Sequence, residues 1–111
     1  MPTPFPAVGH YYLVTFTTFR VELHFTSITS LTYTVINQDG SRGQSETVTI
    51  RVGELRDDQF LVTWQEADKT TVVHVEDYAR HTIVTNITNP DLTFVQDHGT
   101  FVQVPGPVGT C

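Results

Sequence analysis

A chain of 111 residues, 39% hydrophobic and 11% aromatic, is long enough to bury one core and too short for two domains. A formal charge of −6 with only 6 Lys or Arg argues against nucleic acid and anionic membranes as partners. No run is long and apolar enough to span a bilayer as a helix.

The opening Met1-Pro2-Thr3-Pro4-Phe5-Pro6 has neither a charged start nor a long apolar run, so no export signal is expected. The Pro/Gly-rich ends, residues 1–8 and 105–111, are expected to be mobile. Between them Thr, Val, Ile, Phe and Tyr recur in short alternating runs, the pattern of half-buried strands. Strands are predicted at His10–Phe16, Arg20–Phe25, Ser30–Ile36, Ser45–Val52 and Gln59–Glu66. Others follow at Thr70–Glu76, His81–Ile87, Leu92–Gln96 and Thr100–Val104. The connections carry turn chemistry: Thr17-Thr18, Asn37 to Gly43 around Asp39-Gly40, Gly53 to Asp58, Ala67-Asp68-Lys69 and Asn89-Pro90-Asp91. Asp97-His98-Gly99 reads as the last hairpin turn, and Asp77-Tyr78-Ala79-Arg80 as one helical turn. Such short connections imply an all-β, antiparallel up-and-down barrel of eight or nine strands in one domain. No internal repeat is visible.

Alternation sorts the side chains. Phe60, Val62, Trp64 and Glu66 share the larger, more aromatic face of their strand and are placed inside. The next strand offers either Val72, His74 and Glu76 or Thr71, Val73 and Val75. Val21, Leu23 and Phe25 point inward, leaving Arg20, Glu22 and His24 to water. Leu31, Tyr33 and Val35, then Val48, Ile50 and Val52, continue the inner face, and Tyr12 and Phe16 share one face of the first strand. Aliphatic filler would suffice for a closed core. Trp64, Tyr33, Tyr12, Phe16, Phe60 and Val62 around a carboxylate instead suit a pocket for a small hydrophobic or aromatic molecule.

Glu66 beside Trp64 is the candidate general acid or base, because burial disfavours its charged form. Tyr12 and His74 are its candidate proton partners. The five histidines lack metal-ligand spacing, and no nucleophile elbow, P-loop or dinucleotide fingerprint occurs, so no metal and no cofactor are expected. The single cysteine, Cys111, rules out an intrachain disulfide and suits a reducing, cytoplasmic setting. A homodimer, or a partner paired on an exposed strand edge, is a further candidate role.

At Val62-Thr63-Trp64-Gln65-Glu66, followed by Thr71-Val72-Val73-His74-Val75-Glu76-Asp77-Tyr78, the chain resembles a known group. These are the small calycin (lipocalin-like) proteins classed with molybdenum-cofactor biosynthesis protein F, and more distantly the phenolic acid decarboxylases. Gly9-His10-Tyr11-Tyr12 leading to Tyr33, Thr93-Phe94 and Gly99-Thr100-Phe101 fit the same pattern, over roughly His10–Val104. The resemblance implies a barrel with its binding or active cavity inside. In the decarboxylases two inward tyrosines, an arginine and the glutamate of the W-x-E strand act on a hydroxycinnamate. That glutamate matches Glu66, and the arginine falls on Arg42, which becomes a candidate ligand contact. The tyrosine positions fall on Val14 and Phe16, which cannot hold a carboxylate, so decarboxylation of a phenolic acid is not expected. The reading is a small-molecule-binding barrel. Its alternative is a cofactor-free lyase or isomerase (isomerisation, cyclisation, dehydration or decarboxylation) using Glu66.

Overall fold

The computed structural model describes residues 5–108. Eight antiparallel strands follow one another: β1 (Tyr11–Phe16), β2 (Arg20–Ser27), β3 (Ser30–Ile36), β4 (Arg42–Arg56), β5 (Gln59–Gln65), β6 (Thr71–Asp77), β7 (Thr82–Thr88) and β8 (Phe94–Val104). Each pairs with its sequence neighbour, and β8 pairs with β1 to close the barrel. Closure uses up the strand edges, so partner binding by edge pairing would require the barrel to open.

The ninth expected strand is the second half of β8. Asp97-His98-Gly99 does not turn. The strand runs straight through it, with Phe94 to Thr100 on β7 and Gly99 to Val104 on β1. Both turn-like residues have other tasks here. A Cβ on Gly99 would collide with the backbone of Thr15 and Phe16, so the missing side chain lets β1 approach. Asp97 accepts hydrogen bonds from Thr17 Oγ1 (2.6 Å), Thr18 Oγ1 (3.0 Å) and the His98 amide (2.8 Å), pinning the β1–β2 turn to β8.

Those bonds, the Thr17 hydroxyl first, hold the Asp97 carboxyl down to about 2. Its folded value lies below the unfolded one, so its stabilisation is complete above roughly pH 4 and fades as pH falls through about 2. Asp97→Asn should cost about 1 kcal/mol at neutral pH, the difference between charged and neutral acceptors at a partly screened site. Urea midpoints of the two proteins should converge toward pH 2. A gap that is the same at both pH values would contradict this role.

Three connections at one end of the barrel share a plan. In 37–41, 66–70 and 89–93 the first residue's amide bonds the fifth residue's carbonyl at 2.7–2.9 Å, and the fourth amide bonds the first carbonyl at 2.9 Å. The third residue is Asp39, Asp68 or Asp91, and its carboxylate takes the amide of Ser41, Thr70 or Thr93. Bonds from these same three residues hold all three carboxyls below their ordinary range. The fourth residue has positive φ: 86° at Gly40, 80° at Lys69 and 73° at Leu92. These are three-residue hairpin loops ending in a left-handed residue, which matches the twist of the flanking strands. At the other end β4 runs to Arg56 before turning at Asp57-Asp58. Residues 78–81 form a hairpin turn without a helix, and Asp77 accepts the amides of Ala79 and Arg80.

That far end is a plugged core. Phe5 stands edge-on to Phe25, Phe60 and Tyr78 at 5.1–5.7 Å, and Tyr12 and Phe101 complete the cluster. Ala7 is fully buried, and Gly9 donates to the Phe25 carbonyl at 2.7 Å. The Pro-rich start thus packs Phe5 and Ala7 against the barrel, because an aromatic side chain has a hydrophobic slot to fill. Residues 1–4 and 109–111, Cys111 included, lie outside the described residues.

Candidate functional site

The barrel is filled at the plugged end and open at the end of the three shared loops. The open half holds a cavity of about 310 Å³, the lower end of the small-ligand range. Val21 and Leu23 of β2, Val72 of β6 and Ile87 of β7 form aliphatic wall; Phe16, Phe19, Tyr33 and Trp64 form aromatic wall. Tyr33 and Trp64 lie nearly parallel, 20° apart with centroids at 6.4 Å, and the Trp64 and His74 rings are T-shaped to each other with centroids at 4.8 Å.

Glu66 sits one residue past β5, half-buried at the mouth, and accepts the Trp64 indole N–H at 3.1 Å. Burial pushes its carboxyl above the ordinary range, and the charges of Glu46 and Asp68 push the same way; bonds from Trp64 and Tyr33 offset part of the rise. Glu66 opens one of the three shared loops. In the other two that position is Asn37 or Asn89, whose side-chain amide bonds Ser41 or Thr93 within the loop. Loop geometry thus accepts Asn, while Glu66 turns its carboxylate toward the indole. Tyr33 donates to Glu46 at 2.9 Å, and Glu46 also takes the Ala67 amide. Burial first, then that bond and the two glutamate charges, drive the Tyr33 phenol well above its usual range.

Deeper down, Val72, His74 and Glu76 are the inward set of β6, which resolves the two alternatives read from the sequence. His74 Nδ1 lies 3.1 Å from Glu76 Oε2, and Tyr78 donates to Glu76 Oε1 at 2.6 Å. Burial and the Glu76 charge raise the phenols of both Tyr78 and Tyr12. Thr85, paired with His74 across β6 and β7, also lines the cavity, and its buried hydroxyl has no partner among the described residues.

The structure thus gathers Phe16, Tyr33, Trp64, Glu66 and His74 of the expected site around one cavity. It separates the others. Phe60 and Tyr12 belong to the plug, and Val62 is wholly buried without lining the cavity. Arg42 lies on the outer surface, forked onto Glu22 at 2.7 and 3.3 Å, and donates to Thr34 Oγ1 and the Val108 carbonyl. Glu22, expected in water, is 2% exposed because Arg42 and the chain at Val108 cover it. Glu46, Glu76 as the partner of His74, Thr85 and Phe19 were missed. Glu46 precedes Val48 and Ile50 at the strand period, and Thr85 stands between Ile83 and Ile87, so alternation carried both signals. Among the described residues no group of three or more His, Cys, Asp or Glu could hold a metal ion.

The sequence matches the MoaF-like family over residues 8–102. The chain belongs to the MoaF-like family. Its barrel also superposes on the crystal structure titled "a putative beta-lactamase from Burkholderia vietnamiensis", with a TM-score of 0.84 and 24% identity. The alignment covers 92% of this chain and 99% of that one. At that identity the likeness shows the shared barrel alone. No curated protein matches the sequence. Among the described residues no helix is long and apolar enough to cross a membrane.

Proposed function

We propose that this MoaF-like barrel binds a small hydrophobic or aromatic molecule in its open half. The observation that carries this reading is the division of the barrel. Phe5 and its aromatic neighbours fill one end, while Trp64, Tyr33 and Phe16 wall an open cavity at the other. A barrel that needed only a core would have been filled throughout. The mouth supports the reading as well. The β7–β8 hairpin, whose Ile87 and Asn89 line the cavity, exposes Leu92 and Phe94 at 83% and 60%. An apolar lip suits uptake of an apolar ligand. The single cysteine suits a reducing, cytoplasmic setting.

Trp64 is the sole tryptophan, so it reports on the cavity directly. Titration with N-phenyl-1-naphthylamine should quench Trp64 emission saturably at one dye per chain, with dye emission rising. Linear, non-saturating uptake would remove the binding reading.

A second reading rests on Glu66. Its carboxyl is raised by burial and stands where sister loops carry Asn, the kind of local departure that marks functional positions. In this reading Glu66 exchanges a proton with the bound molecule in a cofactor-free isomerisation or lyase reaction. Glu66→Asn should keep the loop and shift the melting temperature little. It should also retain dye binding, while turnover is lost if Glu66 is the acid or base.

A further inference from the structure

We infer that the cavity floor, His74 with Thr85, is a site for a hydroxyl group, so the bound molecule is a flat unsaturated or aromatic alcohol or phenol that enters hydroxyl first. This rests on the binding reading above and names its ligand class.

The two side chains face each other across β6 and β7, are 3% and 1% exposed, and both line the cavity. Glu76 fixes the histidine. Its carboxyl group accepts from Tyr78 on one oxygen and faces His74 Nδ1 with the other. With Nδ1 engaged by Glu76, the second ring nitrogen, Nε2, is left for a bound molecule. Thr85 Oγ1 is without a partner among the described residues. A buried hydroxyl left unpaired costs stability, and valine would fill the same space without that cost. The threonine therefore contributes something other than folding.

A ligand hydroxyl is donor and acceptor at once, so it satisfies both groups, donating to one and accepting from the other. An ether or ketone oxygen has no proton to donate and so lacks half of that pairing. A carboxylate would be set among the carboxyl groups of Glu76 beside the floor and Glu66 at the mouth. The groups around the floor choose the carrier, because Trp64 and Phe16 stand 4.8 and 6.3 Å from the His74 ring and favour a flat π-system.

The test is displacement of bound N-phenyl-1-naphthylamine by 2-naphthol and by its methyl ether, on wild type and Thr85→Val. Wild type should prefer the naphthol by about 10-fold, the worth of one to two neutral hydrogen bonds. Thr85→Val should weaken the naphthol by about 5-fold and melt no lower than wild type. Equal affinity of the two probes for wild type, or an unaltered naphthol affinity in Thr85→Val, overturns the hydroxyl site while the cavity still binds dye. Failure of the dye and both probes to bind overturns the binding reading together with this one.

Discussion

Gly99→Ala should destabilise the barrel by about 3 kcal/mol or more, the upper part of the range for overpacking. The added Cβ would meet the Thr15 carbonyl group and the Phe16 Cα, all of them backbone. A flexible side chain could swing aside, but a paired strand cannot. Gly99 stands opposite Phe16 on β1 and Ile83 on β7, so relief must open the seam that closes the sheet. Relative to a domain stability of about 5–15 kcal/mol, such a loss is large. Gly53→Ala is the control, since no atom lies within 4 Å of its would-be Cβ, and a mid-strand alanine restricts the unfolded chain. Urea unfolding followed by circular dichroism should place Gly99→Ala far below wild type and Gly53→Ala at or slightly above it. Equal midpoints for Gly99→Ala and wild type would mean that the closure tolerates a side chain.

The same glycine shows where sequence reading ended. Period-two alternation and turn chemistry located the eight strands, because each hairpin is local and its signals lie within a few residues. The loops at 37–41 and 89–93 even share the form Asn-x-Asp-x-Ser/Thr, and both were assigned correctly as turns. Asp97-His98-Gly99 carries the same residue types for non-local reasons. Asp97 reaches Thr17 and Thr18, and Gly99 makes room for Thr15, some eighty residues away in sequence. A local rule cannot see that distance. Phe5 is a similar case, since nothing in a Pro-rich leader announces the slot between Phe25 and Phe60.

In the candidate site, alternation supplied sidedness and could not supply depth. Phe60, Val62, Trp64 and Glu66 were rightly grouped on one face, but that face runs from the plug to the mouth. Phe60 lies in the plug, Val62 between, and only Trp64 and Glu66 at the cavity. Depth depends on how eight strands stagger around the barrel, which pairing register alone determines. Tyr12 was misplaced for the same reason: Val14 and Phe16 climb toward the cavity while Tyr12 stays beside Phe25 and Phe101. His74 was found, yet its meaning came from Glu76 and Thr85, one on its own strand and one across from it.

Arg42→Ala should cost about 3 kcal/mol and leave ligand affinity untouched. The Glu22 carboxylate is 2% exposed and faces outward on β2, opposite Thr34 in register. Arg42 supplies both arms of its guanidinium to that carboxylate and spans to Thr34 and Val108. Truncating it leaves a buried charge with the Val108 amide at 3.3 Å. Removing one partner of a buried pair costs about 3–5 kcal/mol, and the lower figure applies because Arg42 is 31% exposed and water can follow its loss. Arg42→Lys should recover only part, since an ammonium cannot fork onto two oxygens. Pairing Glu22→Leu with Arg42→Met should recover most of the stability, as apolar replacements of buried pairs often do. Urea unfolding of the three variants, with dye titration of each, separates an outer-surface clamp from a pocket contact. If Arg42→Ala weakened the dye several-fold at unchanged stability, Arg42 would belong to the ligand, as the decarboxylase resemblance implied.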